Sequence, residues 1–336
     1  MSLTLFNVIG AVIVAIAFVA LNAAYLVWAE RRGAGRIQRR PGPNINGPLG
    51  LLQPPADGLK LMAKQLIIPG GADKVLFVAA PVLAMFPALM SFVTIPFSET
   101  IVAHDINVGL LMIFAFAASG SMALLFAGWS SRNKYAMMSA VRSVSQAVAY
   151  EIPLLITAIT IVMITGSLNL IDIVNQQGPS VLHWNFLPLL GDGSPKNLLM
   201  PLSFLLFFIC TLAETNRAPF DLGEAESELV AGFHIEYGSM GFGLFFMAEY
   251  ANIVIGSCLT TLLFLGGWHP PVPFLSFVPG VVWFLLKVYM LIATVIWIRW
   301  TFPRTTIYGL LNLSWKVLIP FSLFNLLLTA GLLKVF

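Results

Sequence analysis

The chain has 336 residues, 58% of them hydrophobic and only 10% charged, with a formal net charge of +3. That is the composition of a polytopic membrane protein, a single integral membrane domain over residues 1–336 whose surroundings are lipid and protein rather than nucleic acid. The two cysteines, Cys210 and Cys258, lie in apolar runs, and the four histidines are scattered. This excludes a ligand set for an iron–sulfur cluster, a structural zinc or another metal, and no glycine-rich phosphate loop is present.

A membrane span needs about 20 mostly apolar residues. The first such stretch, Leu3–Trp28, precedes the first charge at Glu30 and is far longer than the apolar part of a signal peptide, so a retained span is expected. The connection after it is basic from Arg31 to Asn44 and ends in the turn cluster Pro41-Gly42-Pro43-Asn44. Ala56–Ile67 then reads as a short amphipathic helix lying along the interface, with Leu59, Met62, Ala63, Leu66 and Ile67 on one side and Asp57, Lys60 and Lys64 on another. Further spans follow at Val75–Phe97, Ile106–Trp129, Ala140–Thr165 and Asn197–Ala213, the last being the shortest. After an acidic segment come Gly238–Gly266, Gly280–Ile298 and Leu311–Leu333. Eight transmembrane helices plus one interfacial helix are therefore expected, in an all-α fold. Lys and Arg crowd the odd-numbered connections, and the even ones contribute only Lys196. The odd connections are thus expected on the cytoplasmic side, with both termini on the other.

The acidic segment, residues 214–237, holds Glu214, Asp221, Glu224, Glu226, Glu228 and Glu236 beside a single Arg217. Charge near membrane depth is costly, which makes it a candidate for function. Asp221 and Glu224 have capping-box spacing, so a helix is expected after Asp221, stopped near Gly232. Glu224 and Glu228 would share a face of it, and like charges there repel. A solvated helix facing a basic partner and a proton-exchanging pair are both consistent with this pattern. Glu249, in GLFFMAEYANIVIG, lies about 18 Å along the sixth span at 1.5 Å per residue. An unpaired carboxylate there costs about 3 kcal/mol or more, so it must be protonated, paired or hydrated. Glu151, followed by Pro153, poses the same problem, and the proline opens the local backbone to polar neighbours. Lys287 is a possible partner for either. A buried ion pair competes with proton transfer, which the excess of carboxylates over bases at depth favours.

Several segments resemble one family. GPLGLLQPPADGLKL (Gly47–Leu61) and APFDLGEAESELVAGF (Ala218–Phe233) are similar to two signatures of the membrane subunit 1 family, also called the H-subunit family, of respiratory complex I, the NADH:quinone oxidoreductase. ERRGAGRIQRRPGPN, GWSSRNKYAMMSAVRSVSQAVAYEIP and FFMAEYAN also match its pattern, nearly end to end. The resemblance implies that the second to sixth spans form half of an antiporter-type unit. It implies a seat where the membrane and hydrophilic arms meet, in a bacterial or mitochondrial inner membrane. There the subunit forms the membrane part of a chamber for ubiquinone or menaquinone, which is its substrate. No flavin or cluster is bound by this chain, and electrons arrive from an iron–sulfur cluster in a hydrophilic partner. Small membrane subunits of the proton path are further partners. By the same resemblance Arg31, Arg36, Gln38, Asp57 and Arg217 surround the chamber or its mouth. Glu214, Asp221, Glu224, Glu226 and Glu228 link it to the membrane interior, and Glu151 and Glu249 begin the buried polar path. The chain departs from the family at Gly223, where proline is usual and whose replacement suggests a mobile segment, and at Thr306, Tyr308 and Gly309. No polar contact is assigned to that seventh connection, including Arg299 and Arg304. Alternatives are a homologous subunit of a membrane-bound hydrogenase-type complex, a standalone ion transporter, and a purely structural anchor.

Overall fold

The computed structural model describes residues 5–187, 199–223 and 226–335, without the side chains of residues 5–9, 11, 12, 15, 226 and 227. It is helical throughout, with no strand among the described residues. Helix α1 runs over Leu5–Ile37, the surface helix α2 over Gln53–Ala63, α3 over Lys74–Thr94, α4 over Gly109–Ser130 and α5 over Lys134–Thr165. The short α6 spans Leu170–Asn175 and α7 Met200–Glu214. A single turn, α8, covers Glu226–Leu229, followed by α9 over Ser239–Phe264 and α10 over Gly280–Thr301. The last span combines α11 (Ile307–Leu313), a π turn (Ser314–Leu318) and α12 (Ile319–Val335).

Among the described residues six helices are long and apolar enough to cross a membrane, namely α3, α4, α5, α9, α10 and the composite last span, with α7 as a shorter apolar helix. With α1, these match the expected spans. The protein is an all-α, multi-pass membrane protein. Helix ends are the main difference. α1 continues nine residues beyond Trp28, to Ile37, because charge ends an apolar run without ending backbone hydrogen bonding. α5 starts at Lys134, where Asn133 accepts from the Tyr135 N–H as its cap. α2 starts at Gln53, earlier than expected, because Pro54 and Pro55 suit a first turn whose N–H groups have no helical partner. It stops at Ala63, so Leu66 and Ile67 lie beyond it.

α9 is the axis of the molecule, packed against α1, α2, α3, α6, α7 and α10. Its last twelve residues, from Ile253 to Phe264, are all buried. The ends of α1, α5 and α10 that carry Arg and Lys meet the 215–238 connection on one side, called here the basic side.

Candidate functional site

The acidic connection is clamped rather than loose. Gln146, fully buried on α5, donates to the carbonyls of Ala213 and Phe220, each at 2.7 Å. Two turns away the Ser139 hydroxyl donates to Gly223 O at 2.5 Å. Asn133 Nδ2 donates to Glu236 at 2.8 Å, and Arg142 pairs with Glu228 at 2.5 Å. From the other flank, Thr305 donates to Pro219 O through both its N–H and its hydroxyl, and Arg304 pairs with buried Asp221 at 3.0 Å. The seventh connection, to which the sequence assigned no polar contact, therefore holds the segment in place. Gly223 packs so tightly on α5 that an added Cβ would force the Ser143 hydroxyl aside.

Leu222 and Gly223, which follow Asp221, are not helical, and the Asp221 carboxylate pairs with Arg304. Glu224 lies outside the described residues, as does the side chain of Glu226, so the expected Glu224–Glu228 face is not described. The helical turn ends at Leu229, and Gly232 follows with φ +69°, pressed against the Gly223 carbonyl where a side chain has no room. His234 lies beside this contact. Burial lowers its pKa from 6.5 to about 4, and Asp221 opposes that shift.

Deeper lies a network of buried charge. Arg217, 3% exposed, sits with Nε 2.7 Å from Glu249 Oε1 and Nη1 4.0 Å from Glu30 Oε2. Its guanidinium lies 4.3 Å from the centre of the Tyr250 ring. The Tyr250 hydroxyl donates to Glu30 at 2.5 Å, and Arg299 of α10 pairs with the other Glu30 oxygen. Among the described residues two arginines thus face two carboxylates, as burial requires if neither charge is to stand alone. Sequence reasoning missed Glu30 and Arg299. The missed signal is periodic: Val19, Ala23, Leu26, Glu30 and Ala34 are all buried and recur at helical spacing, so Glu30 lies on the inward stripe of α1.

Lys287 partners neither Glu151 nor Glu249. It donates to the carbonyls of Leu265, Gly267 and His269 at 2.6, 2.9 and 2.7 Å, beneath the Trp184 ring. These carbonyls follow the C-terminal end of α9, where helical partners run out. Glu249 and Leu265 are sixteen positions apart, about 24 Å of helix, so the two charges lie too far apart to pair.

Glu151, Glu214 and Glu249 come together around one cavity of about 70 Å³, alongside Ser121, Asn216 and Asn252. A smaller cavity of about 40 Å³ extends it past Glu214 to Ser91 and Thr211 between α3, α4, α7 and α9. The first has room for about two water molecules and enough polar partners to hold them. A proton can be passed between carboxylates across such a space.

The remaining expected residues divide. Arg31 pairs with Asp57 of α2 at 3.3 Å, and Asp57 also accepts from Gln53 at 2.8 Å. Arg36 and Gln38 are exposed at the end of α1. Arg217 lies in the buried network. Among the described residues no group of three or more His, Cys, Asp or Glu could hold a metal ion.

Residues 10–330 match the NADH dehydrogenase family. The chain is 71% identical over 336 residues to the H subunit of the NADH-quinone oxidoreductase of Desulfotalea psychrophila, covering 100% of this chain and 99% of that one. It is 46% identical over 338 residues to the corresponding NADH-quinone oxidoreductase chain of Rhodospirillum centenum, covering 98% and 96%. To that of Rickettsia typhi it is 47% identical over 315 residues, covering 93% and 89%.

Proposed function

The chain belongs to the NADH dehydrogenase family, as a membrane subunit of NADH-quinone oxidoreductase, and from that premise we propose that it helps form the quinone chamber and couples quinone reduction to proton translocation. The observation that carries the coupling is the meeting of Glu151, Glu214 and Glu249 around one cavity, with Glu249 ion-paired to Arg217 of the acidic connection.

Reducing a quinone to a quinol takes two electrons and two protons. The electrons come from an iron–sulfur cluster in a hydrophilic partner subunit. Negative charge developing on the ring oxygens needs donors or cations nearby. Arg31, Arg36, Gln38 and Asp57 are assigned to the mouth and wall of the chamber, on the basic side beside α2. Exposed Leu59 and Met62 on α2 give that mouth the apolar character a lipid-soluble tail requires. Asp221, Glu224, Glu226 and Glu228 lie in the connection between this region and the buried carboxylates. A charge change in the chamber shifts the connection, Arg217 shifts with it, and the hold on Glu249 changes. Protons then redistribute among Glu249, Glu214 and Glu151 and pass to the small membrane subunits of the path. The basic side faces the cytoplasm in this reading and both termini the opposite side, in a bacterial inner membrane, with residues 1–336 acting as one membrane domain. The named relatives favour this reading over a hydrogenase-type complex or a lone transporter.

The test is Glu249→Gln in the assembled complex. Quinone-linked proton pumping should fall about tenfold or more, the scale of a lost acid–base group. NADH oxidation by an artificial acceptor at the hydrophilic arm should be unchanged. Normal pumping by an assembled variant removes Glu249 from the proton path.

A further inference from the structure

α5 contains Pro153, and a proline has no N–H to give to the carbonyl four residues earlier. That carbonyl belongs to Ala149, 1% exposed, and at membrane depth it needs another donor. The donor is the hydroxyl of Ser314, 2.5 Å away on the last span. Ser314 opens the π turn between α11 and α12, in which the Ile319 N–H reaches back five residues to the Ser314 carbonyl. Such wide turns are rare and concentrate at functional places. One turn earlier in the last span, Leu310 O accepts from the Tyr150 hydroxyl at 3.0 Å. Tyr150, Ser314 and Leu310 are each 0% exposed. The last span therefore grips two successive residues of α5, Ala149 and Tyr150, and the next residue is Glu151, whose side chain lines the carboxylate cavity.

We propose that Ser314 is a positioning residue for proton transfer at Glu151: its hydroxyl replaces the hydrogen bond that Pro153 removes, and so fixes the turn of α5 that directs Glu151 into the cavity. The proline weakens the helix where Glu151 must be aimed, and the π turn brings a hydroxyl to the freed carbonyl. This inference rests on the proton-coupling reading given above.

The test uses the whole complex in proteoliposomes, with Ser314→Ala, Ser314→Thr, Glu151→Gln and the double variant Pro153→Ala/Ser314→Ala. Quinone-linked turnover and protons moved per NADH oxidised are measured, each normalised to NADH oxidation by an artificial acceptor. Ser314→Ala should lower quinone-linked turnover roughly fivefold, the scale of one lost buried hydrogen bond, with fewer protons moved per NADH. Ser314→Thr, which keeps the hydroxyl, should restore both. Normal coupling in Ser314→Ala while Glu151→Gln is impaired overturns this inference alone. Normal coupling in Glu151→Gln overturns the underlying reading as well. A Thr variant as impaired as the Ala variant also overturns the inference, since the hydroxyl would then not be what matters. If Ser314→Ala does not assemble, the double variant decides, because replacing Pro153 returns an N–H to the Ala149 carbonyl: assembly of the double variant supports the inference and its failure overturns it.

Discussion

The two ends of α9 solve the same problem differently. At the far end, Lys287 is buried but surrounded by three backbone carbonyls, which are fixed in place and never change charge. At the basic end, Arg217 lies between two carboxylates, one at 2.7 Å and one at 4.0 Å, and each carboxylate can lose its charge by taking up a proton. In the proposed reading the second arrangement changes when Glu249 takes up a proton, since its ion pair with Arg217 is then lost while Arg299 and Tyr250 hold Glu30. Buried charge therefore marks a site of change only when its partners can titrate or move.

The contrast can be broken from either end. The largest effect is expected from Arg217→Ala, which leaves the buried Glu249 and Glu30 short of positive charge. Removing one partner of a buried pair costs about 3–5 kcal/mol, so poor assembly is expected on native gels, together with lost quinone-linked activity in whatever complex forms. Lys287→Met should come next. It strips the donor from three carbonyls, each unsatisfied group costing about 1–3 kcal/mol, though the apolar chain fills the space. A lower thermal midpoint with near-normal proton coupling per NADH is expected. A large coupling defect in the assembled Lys287 variant would erase the distinction between the two ends.

A smaller effect comes from pH. His234 binds a proton less readily when the connection is docked, with its pKa lowered to about 4 by burial. Its docked, neutral form is fully favoured above the ordinary histidine pKa, about 6.5. As pH falls from there toward 4 the undocked state takes up a proton that the docked state refuses, so docking weakens. Protection against hydrogen exchange in residues 226–238, corrected for the pH dependence of intrinsic exchange, should therefore be lower at pH 5 than at pH 7.5, and His234→Phe should flatten that difference. An equal pH dependence in the variant would assign it to other groups.

Much of the membrane architecture was legible in the sequence because apolar runs of the right length have few alternatives. Helix ends were less so. Hydropathy stops at Trp28 and Glu30, whereas the helix carries on to Ile37. Partner choice was least legible. Glu249 was singled out as too deep to stand alone, but Lys287 was the partner named for it, whereas the folded chain pairs it with Arg217. Only the folded chain shows that Lys287 lies at the opposite end of α9. Glu151, Glu214 and Glu249 come from three helices, and their meeting depends on how α5, α7 and α9 pack, which no local pattern encodes. Glu30 was the recoverable omission, since its register with Val19, Ala23 and Leu26 is visible in the sequence.

That register has a mechanical consequence. Glu30 and Arg31 are neighbours on one unbroken helix, about 100° apart around its axis. Glu30 turns inward to Arg299 and Tyr250, while Arg31 turns outward to Asp57 on the surface helix. A stiff shaft cannot rotate one of these side chains and leave the other where it was. A rigid turn of α1 would therefore carry the inner contacts of Glu30 and the surface contact of Arg31 together.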